Sequence, residues 1–104
     1  MSYLLELSKA IRAEVPARLI PEGADDLFLI YAVLARAKGD RVTTEDVHDA
    51  WTAWMEIHGE RHESMVPFGE LPHGVRTEDR PFTTAIHAVA KRTQQGRRRS
   101  DRGS

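Results

Sequence analysis

The chain has 104 residues, 40% hydrophobic and 30% charged, with 15 Lys and Arg against 16 Asp and Glu. That length suits one domain with a real core, since a chain of this size buries roughly two-thirds of its unfolded surface, and the composition sets it apart from disordered sequences. It holds no cysteine, which excludes disulfides, thiolate metal ligands and a cysteine nucleophile.

No stretch approaches the roughly 20 apolar residues of a membrane span. The start, MSYLLELSKAIRAEV, has early acids and no long apolar run, unlike a signal peptide. The cytoplasm is therefore the expected location, with no membrane partner. The charge is divided unevenly. Six basic residues against Asp101 give residues 91–104 a net +5, which leaves the first 90 residues at −6. The pattern is an acidic domain followed by a basic tail.

Helical spacing of apolar residues recurs four times, with no sustained alternation of the kind a strand shows. The first helix is expected from an N-cap at Ser2, with Leu4, Leu7, Ile11 and Val15 on one face, and Pro16 stopping it. Asp25 or Asp26 is expected to cap a second helix whose core stripe is Leu27, Ile30, Tyr31, Leu34 and Ala37. Phe28, Leu29 and Val33 widen that stripe, as in a helix surrounded by others. Gly39 stands where a C-cap glycine belongs.

The third helix opens at Thr43 or Thr44. Thr43 and Asp46 approximate a capping box, with Asp replacing the usual Glu or Gln. Its stripe is Val47, Ala50, Trp51, Trp54 and then Ile57 or His58, and Gly59 terminates it. A long loop follows, broken by Pro67, Gly69, Pro72 and Gly74. Thr77, Glu78, Asp79 and Pro81 predict the start of a fourth helix, with Phe82, Ala85, Ile86, Val89 and Ala90 inward and Gly96 at its end. These elements predict an all-α fold of four main helices, with a long ordered loop between the third and fourth. Residues 1–94 form the single helical domain and residues 95–104 a basic, disordered tail.

His58 and His62 are four apart, the spacing that puts two imidazoles on one helix face in zinc hydrolases. Gly59 between them ends the helix, and the acid that should follow the first histidine is missing. The pair therefore reads as a helix end, and no metal or other cofactor is expected. His48 and His87 read as capping or surface residues. No glycine-rich phosphate loop or Gly-x-Ser-x-Gly elbow occurs, so a non-enzymatic role is expected, with a small metal-dependent hydrolase as the least favoured alternative. Arg97, Arg98 and Arg99 offer a nucleic-acid-binding alternative through phosphate contacts, without aromatic residues for base stacking.

Val47-His48-Asp49-Ala50-Trp51 early on a helix, Gly59, Val66-Pro67-Phe68-Gly69-Glu70-Leu71, and Glu78-Asp79-Arg80 at a helix start follow one another in residues 44–90. In this order they resemble the ryanodine-receptor repeat, from which the chain departs after Gly59 with Glu60-Arg61-His62. The chain also resembles small proteins of actinobacteria and their phages. The resemblance implies a helical interaction or small-ligand-sensing module, with His48, Trp51, Phe68 and Arg80 as the residues for a ligand or partner. His48 and Arg80 would then face the rim of a cleft, while Trp51 and Phe68 would pack together. The expected partner is a protein or small ligand, and the expected state a monomer or homodimer.

Overall fold

The structure, a computed structural model, describes residues 2–93. The helix end expected at Gly96, the 95–104 tail and Arg97, Arg98 and Arg99 lie outside the described residues. All regular structure among the described residues is helical: α1 (Tyr3–Ala13), α2 (Asp25–Lys38), α3 (Thr44–Ile57), a short α4 (His73–Arg76) and α5, which begins at Arg80. The fold is all-α, and α1, α2, α3 and α5 are its four main helices. No helix among the described residues is long and apolar enough to cross a membrane.

α1 starts where its cap chemistry directs, with Ser2 Oγ accepting the Leu4 N–H at 3.2 Å. It carries Ile11 into the core, and Val15 follows it there just before Pro16 breaks the run. α2 is the central element, in contact with α1, α3 and α5. Its buried residues are Leu27, Phe28, Tyr31, Ala32 and Ala35. Ala37, expected in the stripe, is exposed, and Ile30 and Leu34 are only half-buried. With neighbours on several sides, the covered surface follows the positions where three helices converge, and a single stripe at helical spacing misplaces it. Small Ala32 and Ala35 let those neighbours approach, while Phe28, Tyr31 and Phe82 cluster with ring centroids 5.6–6.2 Å apart. Full burial of such side chains contributes about 1.5–3 kcal/mol each.

Neither Asp25 nor Asp26 caps α2. Ala24 is the N-cap residue, and both acids sit in the first turn, where the helix dipole favours them. Asp26 reaches across to α3. Its Oδ1 accepts the Trp54 Nε1–H at 2.6 Å and its Oδ2 accepts the His58 Nε2–H at 2.7 Å.

Gly39 leaves α2 with φ +58° and ψ −127°, a region essentially restricted to glycine. The chain then enters α3 through a complete capping box: Thr43 Oγ1 accepts the Asp46 N–H, and Asp46 Oδ2 accepts the Thr43 N–H. Lys38 Nζ, at the end of α2, is 3.0 Å from both Asp46 oxygens and ties the two helix ends together. Gly59, at φ +69°, ends α3 as expected, although Ile57 is exposed and outside its apolar stripe.

The long connection to α5 is ordered and partly helical. A 3-10 turn at Phe68–Glu70 precedes α4, and a second at Thr77–Asp79 leads into α5. The last main helix therefore begins at Arg80 and not at Thr77. Pro81, without an N–H, fits the first turn of a helix, and Glu78 and Asp79 belong to the turn before it. Phe82, Ala85, Ile86, Val89 and Ala90 face the core as the spacing predicts. His87 donates its Nε2–H to the Val42 carbonyl at 2.6 Å, holding α5 against the α2–α3 connection.

The Asp26 link gives an acid-limb prediction. Its bonds from Trp54 and then His58 hold the carboxyl below the ordinary value of 3.8. A depressed folded pKa contributes stability above the unfolded value, and this is lost as pH falls through the folded one. In a Trp51→Phe background, Trp54 emission should titrate with a midpoint below 3.8, and Asp26→Asn should abolish that step. A midpoint at or above the ordinary carboxylate value would contradict the assigned bonds.

Candidate functional site: a slot under the long loop

The loop between α3 and α5 roofs a slot of about 480 Å³, inside the roughly 300–1,000 Å³ range of small-molecule pockets. α2 supplies Leu27 and Tyr31, α3 supplies His48 and Trp51, and Leu19 and Pro21 close one side. His62, Ser64 and Val75 come from the roof, Thr77, Glu78 and Asp79 from the last 3-10 turn, and Pro81 and Phe82 from α5.

His48 is the fixed point of this arrangement. Expected at the surface, it is 2% exposed, because the roof covers the N-terminal half of α3. Its Nε2 lies 2.7 Å from the Val66 carbonyl oxygen. That oxygen can only accept, so Nε2 carries a proton. On the other side of the ring, Nδ1 lies 3.6 Å from Asp79 Oδ2. This is too long for a hydrogen bond, but attraction there still requires a proton on one partner or the other. Trp51 stacks beside His48 at 5.8 Å between ring centroids, and Phe68 lies 6.1 Å away on the roof segment.

Tyr31 and Asp79 complete the polar floor. Burial pushes the Asp79 carboxyl above its ordinary value; His48 opposes the shift and the charge of Glu78 adds to it. Burial, with Asp79 adding, also pushes the Tyr31 hydroxyl far up, so it stays protonated. Tyr31 is 1% exposed. Its hydroxyl takes part in no hydrogen bond among the described residues, yet no side-chain N or O sealed from solvent lacks a partner there. Tyr31 is also one of the residues that line the slot.

The four residues singled out from the sequence are divided between two concavities. His48 and Trp51 line the slot. Phe68 and the exposed Arg80 line a second groove of about 410 Å³, with Thr43, Thr44, Glu45, His73, Arg76 and Thr77. Trp51 and Phe68 do share a neighbour in His48. Arg76, not Arg80, is the arginine that organises the roof. Its Nε–H donates to the Leu71 carbonyl at 2.9 Å, Nη2 donates to the Gly69 carbonyl at 2.7 Å, and the guanidinium lies over the Phe68 ring.

His58 and His62 go to two different places. His58 is bound to Asp26, while His62 packs edge-on against Trp51 and accepts the Ser64 N–H through Nδ1. No group of three or more His, Asp or Glu side chains positioned to hold a metal occurs among the described residues.

Residues 2–91 match the model of a family described as a domain of unknown function, DUF7701. The chain belongs to that family. The match spans all four main helices up to Lys91, so the slot is built wholly from DUF7701 residues. No curated protein and no solved structure matches the chain.

The pH dependence of Asp79 runs opposite to that of Asp26. A carboxyl raised in the folded state gives stability that is fully present below its unfolded pKa and lost as pH rises through the folded pKa. Asp79→Asn should therefore melt at or above wild type at pH 7, with the difference vanishing towards pH 3. Thermal melts across that range check this, and a variant markedly less stable at pH 7 would contradict it.

Proposed function

We propose that this DUF7701 domain is a non-enzymatic module that senses a small ligand in the slot under its long loop. The observation that carries this reading is Tyr31, an almost fully buried side chain on the wall of the slot whose hydroxyl has no hydrogen-bond partner among the described residues. Buried polar groups are normally paired, so such a hydroxyl on the wall of an apolar concavity is suited to orienting a bound molecule. The remaining polar groups offer little chemistry. His48 spends Nε2 on Val66, Tyr31 is too firmly protonated to act as a base, and Thr77 donates its hydroxyl to the Gly74 carbonyl. Sensing fits the construction of the site, because one wall belongs to a loop whose position a ligand could stabilise. A screen of a few hundred metabolites by heteronuclear NMR tests the reading. Binders should shift signals of Tyr31, Trp51 and Val75. An empty screen, or binders confined to the Phe68–Arg80 groove, would overturn it.

We also propose that residues 44–90 form a unit of the ryanodine-receptor-repeat kind. Its support is the packing of Trp51 and Phe68 around His48, which joins the helix and loop portions of the resembling segment. Both rings are half-buried, so either alanine substitution should cost less than the about 3–5 kcal/mol of a fully buried aromatic. A loss of about 1–3 kcal/mol is expected. Trp51→Ala and Phe68→Ala variants that melt like wild type would remove this support.

A further inference from the structure

The slot offers carboxylates, with His48 and His62 as its basic side chains. Among its lining residues are the acids Glu78 and Asp79, and neither lysine nor arginine. Arg76, on the roof, is turned to the Gly69 and Leu71 carbonyls. Asp79 is only 18% exposed, and it faces His48 on α3 and the Tyr31 side chain on α2, with Glu78 beside it. An anionic ligand would meet two acids in a setting of reduced dielectric, where like-charge repulsion is strengthened. The rest of the lining is apolar and aromatic: Leu19, Leu27, Trp51, Val75, Pro81 and Phe82.

We propose that the slot takes an organic ammonium, a protonated amine carried on an aromatic or bulky apolar body. This rests on the reading of the slot as a ligand site. The ammonium pairs with the Asp79 carboxylate and donates a hydrogen bond to the Tyr31 oxygen, which has no partner among the described residues. The apolar body replaces water against Leu27, Val75 and Phe82, and the Trp51 ring adds an attraction for cations. Entry of the ammonium requires Asp79 ionised. Binding should strengthen as pH rises through the Asp79 titration, which burial has displaced upwards. Glu78, His48 and Tyr31 are the other groups facing that carboxylate, and His62 lines the slot from the roof.

Three probes with a common indole body separate charge from shape: tryptamine, 3-ethylindole and indole-3-propionate. Titrations of the full chain at pH 7, followed by NMR at Tyr31 and Trp51, should show tryptamine binding at least tenfold tighter than either of the others. Asp79→Asn should erase that preference while leaving 3-ethylindole affinity within about threefold, and Tyr31→Phe should weaken tryptamine several-fold. Lowering the pH to 4 should shrink the preference in wild type and leave Asp79→Asn unaffected. If the anion or the neutral probe binds as tightly as tryptamine, or the preference survives Asp79→Asn, the ammonium assignment falls and the ligand slot stands. If none of the three shifts Tyr31 or Trp51, the ammonium assignment falls and the metabolite screen alone decides the slot.

Discussion

One buried imidazole decides whether this domain has a site at all. The residues between α3 and α5 have only short turns of helix and contribute a single fully buried hydrophobic side chain, Leu71, to the interior. Such a segment has little apolar burial beyond Leu71 and the half-buried Met65, Val66, Phe68 and Val75 to hold it. The His48 Nε2–H donated to the Val66 carbonyl adds a polar tie from the loop to α3. A net hydrogen bond contributes only about 0.5–1.5 kcal/mol, but stranding a buried partner costs about 1–3 kcal/mol. Removing the ring would strand the Val66 oxygen and leave Asp79 without its counter-group in the same step. Arg76 then shapes the roof from within, through the Gly69 and Leu71 carbonyls. The slot exists because these polar contacts hold the loop above α2 without filling the space between.

The polar groups beneath the roof form a small network in which each member sets the state of the next. His48 must keep a proton on Nε2, which directs Nδ1 at Asp79. Asp79, desolvated and next to Glu78, raises the cost of ionising Tyr31. Low local dielectric makes such groups costly to leave unpaired and responsive to any charge placed among them. The family match covers every helix that contributes to this network, so the arrangement belongs to the domain as a whole and not to an appendage.

The legible part of this fold is the part governed by neighbours in sequence. Ser2, the Thr43–Asp46 box, Pro16, Gly39 and Gly59 act within four residues of themselves, and the helix borders follow them. The inward faces of α3 and α5 were readable for the same reason, each being largely a single stripe. α2 was harder, because three helices share its surface and small alanines 32 and 35 took places that a stripe assigns elsewhere. The site was least readable. Val66 is 18 residues from His48, and Trp54 is 28 from Asp26. Asp79 read as a helix-start acid, since its sequence neighbours are those of a helix start; its burial comes from α2 and α3. The resemblance pointed to Arg80 alone, and the carbonyls that Arg76 serves arise only once the Phe68–Glu70 turn has formed.

Asp26 has a consequence for how the molecule opens. The last turn of an α-helix ordinarily frays first, since its carbonyls lack partners within the helix. In α3 that turn carries Trp54 and His58, and both are tethered to a carboxylate on the first turn of α2, the most enclosed helix of the domain. Fraying at this end must therefore break two hydrogen bonds to the core helix. The amide protons near the end of α3 should exchange with solvent on the slow timescale of the central unit, while those of the roof exchange through local openings. Protection from hydrogen exchange would thus divide the molecule between a cooperative block of helices and a separately opening cover, with the boundary at Gly59.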